Sequence, residues 1–320
     1  MKALILGVTG QDGQNLAHSL VIQGNDVAGF IRRTSDRKHT LSNKIRLYRG
    51  DLLDPSSVYR AIKDFGPDVI FNEADQDNIP WSYSSPGYSV MVTTWAVAEL
   101  LDMLKTSFPH VKLFQPVSAT MFDGTVVPQT ESSPFNPQSP YACAKLSTYF
   151  FCRHYREAHG LHVSTAIMYN HTSLCRSEDY LIHKVCASAV RISRNEQKKI
   201  VVGNLNTMLD IGWVTDYVRG IEAIMRLDTP DDFILSTGDS HSIKDIIITA
   251  LQEVGIHGYY EDVIERYVVT DAQFDRPNSG LTHLQGDFSK ASRVLGWKPE
   301  FTLREIIRMI VNFYKMNRNR

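Results

Sequence analysis

MKALILGVTGQDGQNLAHSL, residues 1–20, is the stretch that decides the fold of this chain. Its apolar run, Lys2–Leu6, has the composition of a strand that is buried on both faces. Gly7, Gly10 and Gly13 follow at once, and a helical pattern begins after them. In such a turn one glycine makes the bend, one lets the backbone approach a diphosphate, and one lets the helix pack closely on the strand. Because the N–H groups and dipole of a helix start favour negative charge, the stretch predicts a dinucleotide-binding turn rather than a simple glycine-rich hairpin.

The composition is that of a globular protein and argues against several classes of function. The 320 residues, 43% hydrophobic and 22% charged, suit one large α/β domain or two modest domains that share an interface. A net charge of −1 argues against binding to nucleic acid or to an anionic membrane surface. No apolar run approaches the ~20 residues of a membrane span, and the chain starts with a strand where a secreted protein has a signal. The four cysteines form no C-x-x-C pair and no zinc spacing, so we expect no metal site, reduced thiols and a cytoplasmic location.

Strand and helix patterns alternate along the first part of the chain. Strands are predicted at residues 25–31, 44–48, 68–72 and 111–116, and helices at 55–65 and 88–105. This alternation indicates an α/β fold with a Rossmann-like, doubly wound parallel sheet. Because the last of these helices has apolar residues on more than one side, we expect it to be buried on more than one face.

Two arginines, Arg32 and Arg33, end the second predicted strand. This is where an NAD-binding chain places an acidic residue against the adenosine ribose. A guanidinium group binds phosphate oxygens with two parallel hydrogen bonds and therefore suits the 2′-phosphate of NADP. The cofactor predicted from this position is NADP, and the alternative is a solvated basic loop. Asp51 and Leu52 follow the third strand, where an adenine ring is usually bracketed.

Three carboxylates, Glu73, Asp75 and Asp77, follow the fourth predicted strand and therefore lie near the cofactor crevice. Two like charges 4 Å apart repel each other by about 1 to 4 kcal/mol in exposed or partly exposed surroundings. Two interpretations stay open. The carboxylates point into solvent, or they contact an amine or a hydroxyl of a substrate.

Tyr141 and Lys145 lie four residues apart and share one face of a predicted helix. An ammonium beside a phenol stabilises the phenolate, so we expect Lys145 to lower the pKa of Tyr141 from ~10. The pair can then exchange a proton with a sugar hydroxyl while a hydride moves to or from nicotinamide. Tyr-x-x-x-Lys occurs often by chance, but here it accompanies the glycine turn and Ser118 at the end of a strand.

At this point the chain resembles the extended short-chain dehydrogenase/reductase family, and within it the GDP-mannose 4,6-dehydratases, over nearly its whole length. The motifs that carry the resemblance are GVTGQDG at residues 7–13, RR at 32–33, SPYACAK at 139–145, YNH at 169–171, GNL at 203–205, Asp210, Gly212, DYV at 216–218, TGDSHS at 237–242, RP at 276–277, GD at 286–287 and LGWKP at 295–299.

The resemblance implies an enzyme that acts on a nucleotide sugar and uses NADP as its cofactor. A GDP-sugar is the first candidate substrate. It implies an NADP-binding Rossmann domain over residues 1–168, to which 210–238 return, and a smaller, mainly substrate-binding C-terminal domain over 169–320. Family members pair through the helices near residues 88 and 141, so we expect a homodimer or homotetramer. The implied catalytic positions are Ser118, Thr120, Tyr141 and Lys145. The implied cofactor contacts are Gly7, Thr9, Gly10, Gln11, Asp12, Gly13, Arg32, Arg33, Asp51, Leu52, Tyr141, Lys145 and His171. The implied substrate contacts are Asn170, Asn204 and Arg276, the last toward the diphosphate.

The chain departs from the family pattern where the family has a catalytic glutamate. In the family that glutamate removes the C5 proton and helps to expel the C6 hydroxyl as water. One alignment puts Thr120 at its position and another puts Met121 there, and neither side chain can act as that base. Differences from the family pattern at three further places reduce the expected contacts to the substrate phosphates. Thr172 replaces a glutamate, Cys175 replaces an arginine, and Met208-Leu209 replaces a Lys-Arg pair.

Several functions are therefore compatible with the sequence. The leading hypothesis is hydride transfer at C4 of a nucleotide sugar, followed by elimination only if a base is found elsewhere. A C4 reductase or dehydrogenase and an epimerase are alternatives of the same chemistry. A non-catalytic NADP-binding regulatory protein is the alternative of another class, and a protein that only binds NADP has no need of Ser118, Tyr141 and Lys145 together.

Overall fold

The computed structural model describes residues 1–32, 41–274 and 283–317. Its strands are β1 (Lys2–Leu6), β2 (Asp26–Ile31), β3 (Arg46–Arg49), β4 (Val69–Asn72), β5 (Lys112–Ser118), β6 (Val163–Met168), β7 (Asn170–Thr172), β8 (Ile200–Val202), β9 (Met208–Trp213), β10 (Asp232–Leu235), β11 (Ser240–Ser242), β12 (Val268–Thr270) and β13 (His283–Leu284). Its helices are α1 (Gln11–Ile22), α2 (Pro55–Phe65), α3 (Ile79–Ser84), α4 (Pro86–Val90), α5 (Ala96–Ser107), α6 (Pro140–His159), α7 (Leu181–Ser193), α8 (Val214–Met225), α9 (Ile243–Glu253), α10 (Tyr260–Tyr267), α11 (Ser289–Leu295) and α12 (Leu303–Met316). Met91–Trp95 is a π-helical turn, and Ala119–Met121 and Ala272–Phe274 are 3₁₀ turns.

Seven of the strands form one sheet in the order β10–β6–β5–β4–β1–β2–β3, and all of its pairings are parallel. The chain winds outward from β1 in one direction and from β4 in the other, which is the doubly wound arrangement. The predicted Rossmann-like α/β fold is therefore confirmed. Because the strands are parallel, the loops after β1, β4, β5 and β6 leave the same edge of the sheet and surround one crevice.

The first turn is held by contacts that only glycine allows. Gly7 has a φ of +77°, and a Cβ there would lie 2.7 Å from the Cα and the backbone nitrogen of Ala74. A Cβ on Gly13 would lie 2.5 Å from the carbonyl oxygen of Gly7. Gly7 therefore makes the bend and Gly13 the close packing of α1 on the turn, as the spacing of the glycines predicts.

The predicted helix at 88–105 is observed as a continuous segment of α4, the π-helical turn and α5. Val97, Leu100, Leu101 and Leu104 are buried as expected. Met91 and Trp95, on the second apolar side, are exposed, as is Val90, so the expected burial on more than one face is not seen within the single chain. The π-helical turn adds a residue to one turn, which rotates the apolar positions and turns Val92 and Thr93 inward in their place.

The second half of the chain builds two smaller sheets. β9 pairs with β11, β13 and β7, and β12 pairs with β8. β10 returns to the large sheet beside β6, where Arg156 of α6 binds the carboxylate of Asp232 with hydrogen bonds of 2.7 and 2.5 Å. The division into domains over 1–168 with 210–238 and over 169–320 stays a prediction.

Three further properties concern the whole of the described chain. None of the helices in the described ranges is long and apolar enough to cross a bilayer. Within the same residues, no three His, Cys, Asp or Glu side chains are grouped as they would be around a metal ion. All four cysteines are free thiols, with Cys152 and Cys186 buried and the other two exposed.

Replacing Gly13 by alanine is expected to destabilise the fold. The added methyl group would collide with the backbone of Gly7 and Val8, and overpacking of this kind costs about 1 to 3 kcal/mol. Gly87→Ala is the matched control, because a Cβ there meets no atom within 4 Å. Urea denaturation should give a lower free energy of unfolding for Gly13→Ala and a change within about 0.5 kcal/mol for Gly87→Ala. Equal values for the two variants would contradict the packing role of Gly13.

Candidate active site

A cleft of about 2270 Å³ runs along the carboxyl ends of the parallel strands. The loops after β1, β2, β4 and β5 form one wall, and β7 with residues 174–181 and 202–207 forms much of the other. The predicted site residues that line it are Gly7, Thr9, Gly10, Gln11, Asp12, Arg32, Asp51, Leu52, Ser118, Thr120, Tyr141, Lys145, Asn170, His171 and Asn204. Gly13 packs behind the turn, and Arg33 and Arg276 lie outside the described residues. One cleft therefore brings together nearly all the positions singled out from the sequence.

Tyr141 and Lys145 project from the first turns of α6, and both side chains are buried. The helix begins where the sequence dictates, because Pro140 occupies its first turn and the Ser139 hydroxyl accepts a hydrogen bond of 3.1 Å from the N–H of Ala142. The Nζ atom of Lys145 lies 5.8 Å from the centroid of the Tyr141 ring. The spacing of four residues thus places the two side chains on the same face of the helix, as predicted.

Ser118 and Thr120 face the cleft beside Tyr141, at the end of β5. Their hydroxyl oxygens are 2.9 Å apart, and the N–H of Thr120 donates a 3.2 Å hydrogen bond to Ser118 Oγ. Met121 is fully buried in a core cluster with Phe122. Of the two alignments left open, the structure therefore puts Thr120 on the cleft side and Met121 in the core.

Lys145 is paired with a carboxylate whose role sequence reasoning left open. Its Nζ atom lies 2.5 Å from Asp75 Oδ2 and donates a 3.0 Å hydrogen bond to the carbonyl oxygen of Pro116. The other oxygen of Asp75 accepts hydrogen bonds from the Thr93 hydroxyl and from the N–H of Gln76. Burial acts to lower the pKa of Lys145, but Asp75 outweighs it and the pKa is raised. The ammonium is therefore charged and neutralised by its partner.

The pKa of Tyr141 is raised above its ordinary value, mainly because the phenol is buried. Lys145 acts in the opposite direction, as does a hydrogen bond with Ser118, whereas Asp75 and Asp77 add to the rise. Lys145 therefore acts on the Tyr141 pKa in the expected direction, but the pKa of the phenol does not fall. The main reason is the burial of the phenol, and Asp75, which also pairs with Lys145, adds to the rise.

Glu73 is a second carboxyl in the cleft, close to the glycine turn. Its Oε1 atom is buried and has no hydrogen-bond donor in the part of the chain that the structure describes. Burial raises its pKa well above the usual range, and the carboxylate of Asp12 adds to this, while Lys145 opposes it. Burial therefore favours the protonated form of this carboxyl group, which can donate a hydrogen bond into the cleft.

Asp12 and His171 connect the nucleotide turn to the second half of the chain. Asp12 Oδ1 lies 2.8 Å from His171 Nε2, and His171 Nδ1 lies 2.9 Å from the carbonyl oxygen of Tyr169. The imidazole also stacks on the ring of Tyr217, with the two centroids 4.2 Å apart. Burial acts to raise the pKa of Asp12, but His171 and Arg176 outweigh it and the pKa is lowered. The turn is therefore fixed in position by an ionised carboxylate.

Asp77 meets a cation, like Asp75. Its carboxylate lies 2.7 Å from Arg176 Nη2 and accepts a 2.9 Å hydrogen bond from the Tyr180 hydroxyl. Neither interpretation left open for the three carboxylates describes Asp75, which is bound by a basic side chain of this chain. Asp77 is half exposed to solvent, as one interpretation has it, and is bound by Arg176 as well. The pairing of Asp75 with Lys145 could have been inferred from the order of strands in the predicted sheet. Because β4 and β5 are adjacent, Asp75 lies beside the carbonyl oxygen that Lys145 binds.

The residues at the other end of the cleft fit the diphosphate and adenosine of a dinucleotide. Gly10 is the N-cap of α1, and no described side chain caps that helix start, so its first N–H groups face the cleft. Arg32, exposed at the end of β2, donates a 3.1 Å hydrogen bond to the Tyr88 hydroxyl and lines the same cleft as Asp51 and Leu52. A Rossmann sheet with this turn and with a Tyr–Lys pair on the helix after β5 defines the class of protein, an extended short-chain dehydrogenase/reductase.

Comparison with known proteins narrows this class. A family model described as GDP-mannose 4,6 dehydratase matches residues 4–310. GDP-mannose 4,6 dehydratase 1 of Arabidopsis thaliana is 32% identical over 326 residues, covering 97% of this chain and 88% of the relative. The GDP-mannose 4,6-dehydratase of Vibrio cholerae is 32% identical, covering 95% and 91%. The chain therefore belongs to the GDP-mannose 4,6-dehydratase family of nucleotide-sugar enzymes.

The fold of this chain resembles that of a solved structure. UDP-glucose 4-epimerase with UDP-glucose, from Thermotoga maritima, matches with a TM-score of 0.86 at 20% identity and covers 100% of both chains. At that identity the likeness concerns the fold alone.

Proposed function

We propose that this protein is an NADP-dependent enzyme that transfers a hydride between the cofactor and C4 of a nucleotide sugar. The first candidate substrate is a GDP-sugar. The proposal includes that the protein is a poor 4,6-dehydratase. The observation that carries the proposal is the convergence of Tyr141, Ser118 and Lys145 at the cleft with Thr120 beside them. Membership of the GDP-mannose 4,6-dehydratase family supports the substrate class. Asn170 and Asn204 line the cleft and suit hydrogen bonds to sugar hydroxyls or to the polar edge of a base, and Arg276 stays a prediction for the diphosphate.

The residues have separate tasks in this proposal. A bound nicotinamide accepts or supplies the hydride at the sugar carbon. Tyr141 exchanges the proton of the C4 oxygen, and the Ser118 hydroxyl holds that oxygen in place. Gly7, Thr9 and Gly10, with the N–H groups of Gln11, Asp12 and Gly13, hold the diphosphate, and Lys145 and His171 contact the cofactor from the opposite wall.

Elimination also requires a general base, which these residues do not supply. Oxidation at C4 acidifies the C5 proton, but a base must still remove it and protonate the leaving C6 hydroxyl. The hydroxyl of Thr120, which stands at the position of the family glutamate, does neither near neutral pH. The site thus keeps the parts for hydride transfer and lacks one part for elimination.

We also propose that the protein is a homodimer or homotetramer. Met91 on the π-helical turn and Phe150 on α6 are 48% and 49% exposed, and Val90, Trp95 and Phe151 are exposed with them. These side chains belong to helical segments that pack on each other, and large apolar groups left exposed together commonly mark a protein–protein contact.

NADP should bind more tightly than NAD, and Arg32→Ala should remove the difference. Loss of a charged contact to the 2′-phosphate costs about 1.5 to 3 kcal/mol, or about ten- to a hundredfold in affinity. Calorimetric titration measures both dissociation constants. Arg46→Ala is the control, because Arg46 pairs with Asp64 away from the cleft and its loss should leave both affinities unchanged. Equal affinities of the wild-type protein for NAD and NADP would contradict the proposed specificity.

Tyr141→Phe should abolish turnover and leave NADP affinity unchanged, because only the proton-exchanging oxygen is lost. The nucleotide sugars to assay are those identified by mass spectrometry of the supernatant after the purified protein is denatured. Tyr155→Phe, the same substitution about four turns further along α6 and outside the cleft, is the control and should turn over at the wild-type rate. A Tyr141→Phe variant that is as active as wild type would assign the proton transfer to another group.

Incubation with GDP-mannose and NADP in deuterium oxide should give little 4-keto-6-deoxy sugar. A missing general base lowers the rate by about 10²- to 10⁴-fold. Elimination leaves deuterium at C5, so mass spectrometry separates it from simple oxidation. Thr120→Glu should raise any trace of elimination, and Thr120→Gln, equal in size but not a base, should not. Rapid deuterium incorporation by the wild-type protein would overturn the proposal and direct attention to Asp75, Asp77 and Asp123 as bases.

A further inference from the structure

The Lys145–Asp75 pair has a consequence for the direction of catalysis. We propose that Asp75 is a positioning residue that keeps Tyr141 in its neutral, proton-donating form, so that the site is set to reduce a 4-keto nucleotide sugar. The inference rests on the proposed function, because it concerns the same hydride transfer, and it names the substrate class of that transfer as a ketone.

The position of Asp75 is fixed from both sides. One carboxylate oxygen is held by the Thr93 hydroxyl and the N–H of Gln76, which leaves the other to meet Lys145 at 2.5 Å. That second oxygen is buried and meets no described donor besides the Lys145 ammonium. The side chain of Lys145 is 4% exposed and that of Asp75 13%, so solvent screens the pair weakly. The contact between Lys145 and Asp75 is therefore a buried ion pair held by further hydrogen bonds, unlike an ion pair at the surface.

The pair changes what Lys145 does to Tyr141. Two of the three ammonium protons point to Asp75 and to the carbonyl oxygen of Pro116. The charged groups that act on Tyr141 are Lys145, Asp75 and Asp77, and Glu73 acts on Lys145 in turn. Asp77 is itself paired with Arg176, so the pair of Lys145 with Asp75 dominates. A buried phenol beside a neutralised ammonium keeps its proton, and the direction of the Tyr141 pKa shift agrees.

A neutral phenol is the form that ketone reduction requires. In that step the carbonyl oxygen takes the proton of Tyr141 while the carbonyl carbon takes a hydride from reduced nicotinamide, and the C=O π bond becomes an O–H and a C–H bond. The products are the alcohol, oxidised nicotinamide and a Tyr141 phenolate, which regains its proton from solvent. Oxidation of an alcohol is the reverse and requires the phenolate at the start, so a phenol that keeps its proton holds this direction back near neutral pH.

The test measures the ionisation of Tyr141 directly, without substrate or cofactor. Tyrosine labelled with ¹³C at Cζ reports ionisation by NMR, and the Tyr141 resonance is the one that Tyr141→Phe removes. In the wild-type protein it should stay in the phenol form up to a pH of ~10, the ordinary pKa of tyrosine. In Asp75→Asn, which keeps an oxygen for Thr93 and Gln76, the titration should move down by at least about one pH unit, a tenfold gain of phenolate at a given pH.

Two further variants keep the result unambiguous. Asp75→Ser leaves room for water beside Lys145 and replaces Asp75→Asn if that variant does not fold. Asp77→Asn removes a neighbouring carboxylate that pairs with Arg176, and should shift Tyr141 by less than half as much. A wild-type Tyr141 that titrates below ~10, or one that neither Asp75 variant moves, would overturn the role of Asp75.

An activity measurement separates this inference from the proposed function. With NADPH and a GDP-linked 4-keto-6-deoxyhexose as the probe, wild-type reduction should be level from about pH 6 to about pH 9, and in Asp75→Asn it should fall within that range. If the rate of ketone reduction by the wild-type protein already falls as the pH rises toward about 9, the inference about Asp75 is overturned and the proposed function is not. No turnover of ketone or alcohol, with Tyr141 titrating as expected, refutes the proposed function and the reductase assignment, and leaves the effect of Asp75 on Tyr141 established.

Discussion

The close approach of Gly7 to Ala74 is the constraint on which the site depends. A Cβ at Gly7 would lie 2.7 Å from the backbone of Ala74, so the nucleotide turn after β1 and the segment after β4 lie in van der Waals contact. This contact brings Glu73 and Asp75 into the cofactor cleft on either side of Ala74. A parallel sheet with β1 beside β4 and β4 beside β5 then places Asp75 within reach of a lysine on the helix after β5. The chemistry of the cleft is thus set by the packing of two backbone segments.

Features that depend on neighbouring residues could be predicted from the sequence. The glycine turn, the helix at 55–65 with Asp54 as its cap, and the Tyr141–Lys145 face of α6 all depend on residues a few positions apart. The π-helical turn at Met91–Trp95 could not, because tertiary packing decides where an extra residue is inserted. Met91 and Trp95 are exposed in the single chain for this reason.

The contacts that decide the electrostatics of the site join residues far apart in the chain. Asp75 and Lys145 are separated by many residues, as are Asp12 and His171, and each meeting depends on the order of strands in the sheet. Seen in sequence alone, Glu73, Asp75 and Asp77 are three repelling charges. In the fold Asp75 and Asp77 each meet a cation, and burial favours the protonated form of Glu73, which lessens the repulsion. The Tyr141 pKa is raised mainly by burial, with Asp75 adding to the rise, so the lysine spacing gave the direction of one contribution and not of the whole shift.

Thr120 and Asp75 bear on the same reaction from different sides. Elimination of water from a hexose starts with oxidation of the C4 hydroxyl, which needs an ionised tyrosine, and then needs a base at C5. In the proposed mechanism Asp75, paired with Lys145, favours the neutral tyrosine, and Thr120, beside Ser118, stands where that base is expected. Asp75 follows β4 and Thr120 follows β5, and the two side chains act on different atoms. In the proposed mechanism both hinder steps of the elimination, and neither hinders reduction of a ketone. A site that only needs to hand one proton to a carbonyl oxygen needs no base at C5 and is helped by a phenol that stays protonated.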